Sequence, residues 1–198
     1  MYRTLVASIF ALAFLAPGIA LAHTGHGATG GFVHGFVHPI FVMDHVLAMV
    51  AVGLFAGQIG GRALWLVPAA FVGVMGLGGA LGVAGVTIPA VEIGIALSVV
   101  VLGAAVAFRL KAPVVLAMLL VGVFAVFHGH AHGTEMPETM AGIAYGAAFM
   151  LATALLHGVG IGLGFVAAKA AEAKGALLVR GVGGAMSVFG LVILAGAI

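Results

Sequence analysis

The chain places ionisable side chains inside an apolar run that is long enough to cross a membrane. Residues 38–45 contain His38, Asp44 and His45 among apolar neighbours. An ionisable side chain in the hydrocarbon core of a bilayer costs about 3 kcal/mol or more, so such residues indicate a functional site. Imidazole and carboxylate, in a chain without cysteine, form a ligand set for a divalent transition metal. The segment therefore predicts a metal site within a membrane, the alternative being simple pairing of Asp44 and His45 with polar groups of neighbouring helices.

The spacing of these residues predicts their arrangement on a helix. His38 and His45 are seven residues apart. This separation is close to two turns, so they would share one face about 10 Å apart along the axis. His34 lies one turn before His38, and Asp44 lies about 100° around the helix from His45. We expect a ladder of ligands that fits a translocation path better than a closed structural site, and other helices must complete it.

A second group of candidate ligands lies between two predicted helices. His128, His130 and His132 alternate with small residues, and Glu135 and Glu138 follow them. His128 and His132 share a face if the segment is helical, whereas all three histidines lie on one side if it is extended. Short histidine-rich tracts are typical of metal-binding segments. We therefore predict a metal-binding, histidine-rich loop at the outer mouth of the protein, with a solvated loop as the alternative.

Three further residues are separate candidates. Glu92 falls about one turn into a predicted helix, where it would face His38 or act as a partly solvated interfacial carboxylate. His157 lies deeper and is either an exit-side ligand or a hydrogen-bonding group between helices. His23 would bind a metal through its amine and imidazole if it is the first residue of the mature chain, and a tail without function is the alternative.

The composition defines the class of protein. The chain is 64% hydrophobic and 6% charged, whereas a soluble domain carries about 25% charged residues. The apolar runs are too long and alternate too poorly for barrel strands. We therefore predict an all-α integral membrane protein. The seven Lys and Arg are scattered, so no nucleic-acid partner is expected, and we predict no enzymatic activity and no prosthetic group.

The N-terminus has the pattern of a signal peptide. Arg3 precedes an apolar segment over residues 5–16, and a small-residue cleavage site ends at Ala22. We predict a cleaved signal peptide over residues 1–22 and one transmembrane domain over residues 23–198; an uncleaved segment would add a seventh helix. The domain is predicted to be a bundle of six transmembrane helices over residues 36–56, 63–83, 88–108, 113–128, 139–167 and 181–197.

The basic residues predict the orientation in the membrane. With a secreted mature N-terminus, alternation of six helices places six basic residues on the cytoplasmic side, namely Arg62, Arg109, Lys111, Lys169, Lys174 and Arg180. The external loops then contain no Lys or Arg. We expect a multi-pass membrane protein whose mature N-terminus and histidine-rich loop face the outside.

One string of residues resembles a known family. The string is His38-Pro-x4-Asp44-His45-x-Leu47-Ala48-Met49-x-Ala51-Val52-Gly53-Leu54. With the glycine-rich second helix and the segment His128 to Pro137, it resembles the HupE/UreJ family of small bacterial membrane proteins. The resemblance covers essentially the whole mature chain. The spacer before Asp44 reads Ile-Phe-Val-Met, whereas many members carry glycine there.

The resemblance carries its own expectations. It implies a secondary permease or facilitated-diffusion channel for Ni²⁺, or for Co²⁺, without an ATPase and linked to hydrogenase or urease. It implies importance for seven positions, which are His38, Asp44, His45, Phe71, Glu92, His132 and Glu135. Phe71 follows from the resemblance alone. Together these expectations predict that the protein imports nickel or cobalt ions from the periplasm across the lipid bilayer of the bacterial inner membrane. The alternatives are a metal-binding assembly factor without transport and a membrane metalloenzyme.

Overall fold

The computed structural model describes residues 28–136, 140–170 and 172–198, and all regular secondary structure in these residues is helical. Its helices are α1 (Ala28–Phe41), α2 (Met43–Ile59), α3 (Ala63–Val83), α4 (Val91–Ala107), α5 (Val114–Thr134), α6 (Met140–Ala170) and α7 (Glu172–Ala197). The predicted all-α class is confirmed. The predicted signal peptide, His23 and Glu138 lie outside the described residues.

Helix length and composition separate the seven helices into three kinds. Within the described residues, α3, α5, α6 and α7 are each long and apolar enough to cross a membrane. The pair α1 and α2 passes the same test together, as one span bent by 77°. Helix α4 is apolar but has only 17 residues. The described chain therefore contains four clear spans, or five with the bent pair, and the sixth stays a prediction.

The first predicted helix is broken, which corrects the expectation for residues 36–56. Val42 adopts an extended conformation with φ −95° and ψ 112°, and α2 begins directly after it. Pro39 lies in the last turn of α1 and has no amide hydrogen to bond to the preceding turn, which weakens the end of that helix. His38 and His45 therefore lie on different helices, and the predicted ladder on one helix face was wrong.

The histidine-rich segment is helical and buried, which corrects its prediction as a loop. Helix α5 continues to Thr134, beyond the predicted end at residue 128. His128, His130 and His132 are all buried. Polarity suggested a loop, but these imidazoles find partners inside the protein and so do not need water.

Two other helices begin more than one residue away from their predicted starts. Helix α4 begins at Val91 rather than at residue 88, because Ala90 has a φ of 57° and cannot continue a right-handed helix. Helix α7 begins at Glu172 rather than at residue 181. Helix α3 has the predicted bounds.

Helix packing fixes the position of α5, which carries His128, His130 and His132. Helix α3 packs along α5, α4 along α7, and α6 against both α1 and α2. Residues 47–56 of α2 are buried throughout, so this helix lies in the core. On α5, Gly129 and Gly133 approach the backbone of α3 so closely that a Cβ atom would clash with it. Such contacts between small residues allow close packing of membrane helices and hold the imidazoles of α5 at a fixed depth.

Candidate metal centre

The centre of the site is His45, which lies in the first turn of α2 and is 1% exposed. Its Nδ1 atom lies 3.1 Å from Oδ1 of Asp44. Its Nε2 atom lies 3.1 Å from Nδ1 of His128 and 2.8 Å from Nε2 of His132. One ring nitrogen is thus directed toward a carboxylate, and the other meets two imidazoles of α5.

The hydrogen-bond partners fix where the protons lie on His45 and His128. A carboxylate only accepts, so Nδ1 of His45 donates to Asp44 and the neutral ring has a bare Nε2. Ser98 Oγ lies 2.6 Å from the carbonyl oxygen of Ile95 and must donate its hydrogen there. The hydroxyl therefore accepts from Nε2 of His128, 2.8 Å away. His128 consequently has a bare Nδ1, which faces the bare Nε2 of His45.

Two facing lone pairs at 3.1 Å repel each other. The repulsion is relieved by a hydrogen that Nε2 of His132 donates to Nε2 of His45, 2.8 Å away, or by a cation bound among the three nitrogens. Metal–imidazole bonds of about 2.1 Å place neighbouring ligand nitrogens roughly 3 Å apart. Metal-binding histidines usually donate their other N–H to a carboxylate or a similar acceptor, as His45 does to Asp44 and His128 does to Ser98. We call His45 and His128 the inner pair.

A second group of ligand atoms lies nearer the surface. His38, His132 and Glu135 each offer one ligand atom, and these atoms lie within 4.8 Å of one another. Oε2 of Glu135 is 3.9 Å from Nε2 of His38 and 3.5 Å from Nδ1 of His132. We call these three residues the outer group. It combines nitrogen and oxygen ligands, as borderline divalent metals accept.

The two groups form a line that leads from the surface to the core. The exposed fraction of the side chain falls from 61% at Glu135 to 25% at His38, 10% at His132 and 2% at His45. His132 belongs to the outer group and also contacts His45. A cation bound by Glu135 thus has a continuous series of imidazole nitrogens ahead of it.

Aromatic side chains of α6 form one wall of this line. The Phe149 ring centroid lies 4.3 Å from that of His132 and 5.6 Å from that of His45. The ring centroid of Tyr145 lies 6.4 Å from that of His38. Beside this wall, a cavity of about 210 Å³ is lined by residues of α3, α5 and α6, including His132, Tyr145 and Phe149. Since a water molecule takes about 30 Å³, the cavity has room for a partly hydrated ion.

Several predicted site residues lie together, and others lie apart. The structure brings together the predicted residues His38, Asp44, His45, His128, His132 and Glu135. His130 instead donates from Nε2 to the carbonyl oxygen of Val86, 2.6 Å away. Glu92 is exposed in the first turn of α4, and no hydrogen bond or ion pair joins it to another described residue.

The remaining predicted residues lie at the two ends of the line. The His34 ring is exposed and lies 5.7 Å from both His38 and Tyr145. At the other end, the Phe71 ring lies 5.8 Å from His128 and 5.2 Å from His157. Phe71 therefore contacts the inner pair, which gives a physical place to a residue that sequence reasoning took from the resemblance alone.

Sequence reasoning missed Ser98, Tyr145 and Phe149. A signal for Ser98 was present, because it is the one polar side chain in α4 after Glu92 of the first turn. A hydroxyl in such a helix needs a hydrogen-bond partner. Tyr145 and Phe149 carry no comparable signal, since aromatic residues in membrane helices are more often part of the packing.

Comparisons with known proteins give one consistent result. Residues 11–193 match a sequence model of the family described as HupE / UreJ protein. A protein named Protein HupE, from Rhizobium leguminosarum bv. viciae, is 45% identical over 195 residues, which cover 98% of this chain and 99% of that protein. No solved structure matches the chain. The matched region includes the outer group and the inner pair.

Proposed function

Since the chain belongs to the HupE/UreJ family, we propose that it imports Ni²⁺, or alternatively Co²⁺, across the bacterial inner membrane without ATP. The observation that carries this proposal is the cluster of imidazoles in the core, where Nε2 of His45 lies 3.1 Å from Nδ1 of His128 and 2.8 Å from Nε2 of His132. The exposed outer group gives an ion access to them. Imported nickel would supply enzymes such as hydrogenase or urease, with which the family is associated.

The proposed topology has six spans and a cytoplasmic positive end. The bent pair α1–α2 counts as one span. The 17 residues of α4 make about 25 Å of helix, which is at the short end for a span. The basic residues support one orientation, because Arg109 and Lys111 share a pocket with Gln58 at the end of α2. Nε of Arg180 donates to the carbonyl oxygen of Ala107 at the same end.

The outer group is placed at the periplasmic end in this proposal. Glu135 follows the last residue of α5, whereas Arg109 and Lys111 precede the first, so the two ends of this helix carry opposite charge. Periplasmic carboxylate attracts a dication, and cytoplasmic Lys and Arg follow the positive-inside rule. The predicted signal peptide over residues 1–22 remains part of the proposal.

The proposed steps are capture, partial dehydration and release inward. Glu135 attracts the ion, and His38 and His132 replace part of its water shell. Asp44 offsets its charge while the inner pair binds it. Each site must bind weakly enough to release the ion again. The sequence carries no Walker motif, and an inside-negative potential of about 100 mV supplies ~2.3 kcal/mol per charge moved, so a dication can enter by uniport.

Metal flux into proteoliposomes tests the proposal. Purified protein is reconstituted with an inside-negative potential and no ATP, and entry of Ni²⁺, Co²⁺, Zn²⁺ and Cu²⁺ is compared. We expect saturable entry of nickel or cobalt, which His45→Gln abolishes because it removes the central ligand.

The matched control is Ser187→Ala, which removes a hydroxyl bonded to the carbonyl oxygen of Val100, away from the histidines. This variant should transport like the wild type. Metal binding without entry in the wild-type protein would instead identify a metal-binding assembly factor.

A further inference from the structure

His157 is a buried imidazole that lacks hydrogen bonds. It lies on α6 and is 1% exposed, and neither of its ring nitrogens has a hydrogen-bond partner among the described residues. A buried polar group without a partner costs about 1–3 kcal/mol, so its presence needs an explanation. Its ring stands edge-to-face with Phe71 at 83°, and a contact between an N–H and the ring would be only a weak substitute.

The position of His157 continues the line of ligands. The Phe71 ring of α3 contacts both imidazoles, with its centroid 5.8 Å from that of His128 and 5.2 Å from that of His157. Tyr145, Phe149 and His157 share one face of α6, and His157 lies two turns beyond Phe149, which is about 12 Å further along the helix. His157 thus lies on the far side of the inner pair from the exposed outer group.

The backbone around His157 is fixed by close packing. On α2, Gly53 approaches the carbonyl oxygen of His157 so closely that a Cβ atom would clash with it. On α6, Gly160 approaches the carbonyl oxygen of Val50 in the same way. The imidazole is therefore held beside Phe71 by a rigid crossing of two helices.

We propose that His157 is the inward ligand that receives the metal ion from the inner pair, and that the Phe71 ring separates the two positions until it rotates aside. This inference rests on the proposed function. A neutral imidazole always has one nitrogen with a free lone pair, and on His157 nothing in the described chain uses it. In this proposal the apolar Phe71 ring, which contacts both imidazoles, keeps the two positions from sharing an ion and blocks water, so passage is stepwise.

Two substitutions of His157 test the assignment. His157→Leu fills a similar volume without a ligand atom, whereas His157→Cys supplies a thiolate, which is a strong ligand for these metals. Because the chain has no other cysteine, a thiol-reactive reagent acts on the introduced residue alone. Thr153→Val is the matched control, because it removes a buried hydroxyl one turn away on the same helix.

We expect His157→Leu to bind nickel in detergent with wild-type affinity but to transport it at least about tenfold more slowly in proteoliposomes, the size of effect seen when a metal site loses a partner. His157→Cys should recover much of the flux, and the thiol reagent should abolish it. Thr153→Val should transport normally.

Other results would overturn the inference. Wild-type flux in His157→Leu would show that no ligand is needed there. Equal loss of flux in the Leu and Cys variants, with normal metal affinity in both, would assign His157 to packing. Absence of flux in the wild-type protein itself would overturn the proposed function and this inference together, whereas the other two results leave the proposed function intact.

Discussion

Replacing Asp44 by Asn should weaken metal binding and leave the fold intact. Oδ1 of Asp44 accepts from Nδ1 of His45 at 3.1 Å, and the amide oxygen of Asn can accept in the same place. The ring orientation is then preserved and the negative charge alone is lost. The perturbation therefore isolates the electrostatic contribution of the carboxylate to an ion bound at Nε2 of His45.

The magnitude follows from the distance across the imidazole ring. A dication at Nε2 of His45 lies about 7 Å from the carboxylate of Asp44. The Coulomb attraction between them is about 1–5 kcal/mol for effective dielectric constants of 80 to 20. The Asp44 side chain is 23% exposed, so solvent screening places the value in the lower half of this range. Loss of an outer-shell partner typically weakens metal affinity about 10–100-fold, which is about 1.4–2.7 kcal/mol.

The assay is competition with a chromophoric chelator in detergent. Nickel affinity is measured for wild type, Asp44→Asn and the control Ser187→Ala, with thermal unfolding of each protein as the test of folding. We expect a 10–100-fold weaker affinity for Asp44→Asn alone, with unchanged unfolding midpoints. Affinity within about twofold of wild type, in a folded Asp44→Asn protein, would refute the assignment of Asp44 as the partner of a metal-binding imidazole.

Three further substitutions test other parts of the site. Ser98→Ala removes the hydroxyl that accepts from Nε2 of His128. Nickel affinity should fall by up to about tenfold, because one hydrogen bond contributes about 0.5–1.5 kcal/mol. The control Ser187→Ala should leave the nickel affinity unchanged. Gly129→Ala should lower the free energy of unfolding by about 1–3 kcal/mol through overpacking, and Gly184→Ala, where a Cβ meets open space, should not; equal effects would contradict the proposed role of the close helix contact. Glu135→Gln removes an exposed charge of the outer group, so the nickel concentration that gives half-maximal uptake should rise, and the rise should be largest at low salt. An unchanged half-maximal concentration would show that Glu135 does not take part in ion capture.

The sequence was sufficient for the family and for the helical class. The string from His38 to Leu54 predicted the HupE/UreJ family, and the family match confirms it. Helix α3 was predicted with its observed bounds because apolar residues fill it and loop residues flank it on both sides. Local composition predicts such helices, because a membrane-spanning segment must form all its backbone hydrogen bonds within itself.

Features that depend on contacts between helices were not predictable. The break at Val42 lies within four apolar residues without glycine, and Pro39 before them fits the first turn of one continuous helix as well as the end of a separate one. The burial of His128 and His132 was not predictable, because their partners Ser98 and His45 come from other helices. Sequence periodicity records which residues share a face, but it does not record which helix that face meets.

His132 has a consequence for how several ions would behave together. Its Nδ1 faces Glu135 in the outer group and its Nε2 faces His45 of the inner pair. A neutral imidazole keeps a proton on one nitrogen, so His132 offers a lone pair to one dication at a time, at Nδ1 or at Nε2. An ion bound by His132 in the outer group therefore excludes a second ion bound by His132 beside His45. In the proposed transport, the shared ring would pass one ion at a time, so the transport rate at high metal concentration would be limited by release of the bound ion rather than by capture of the next.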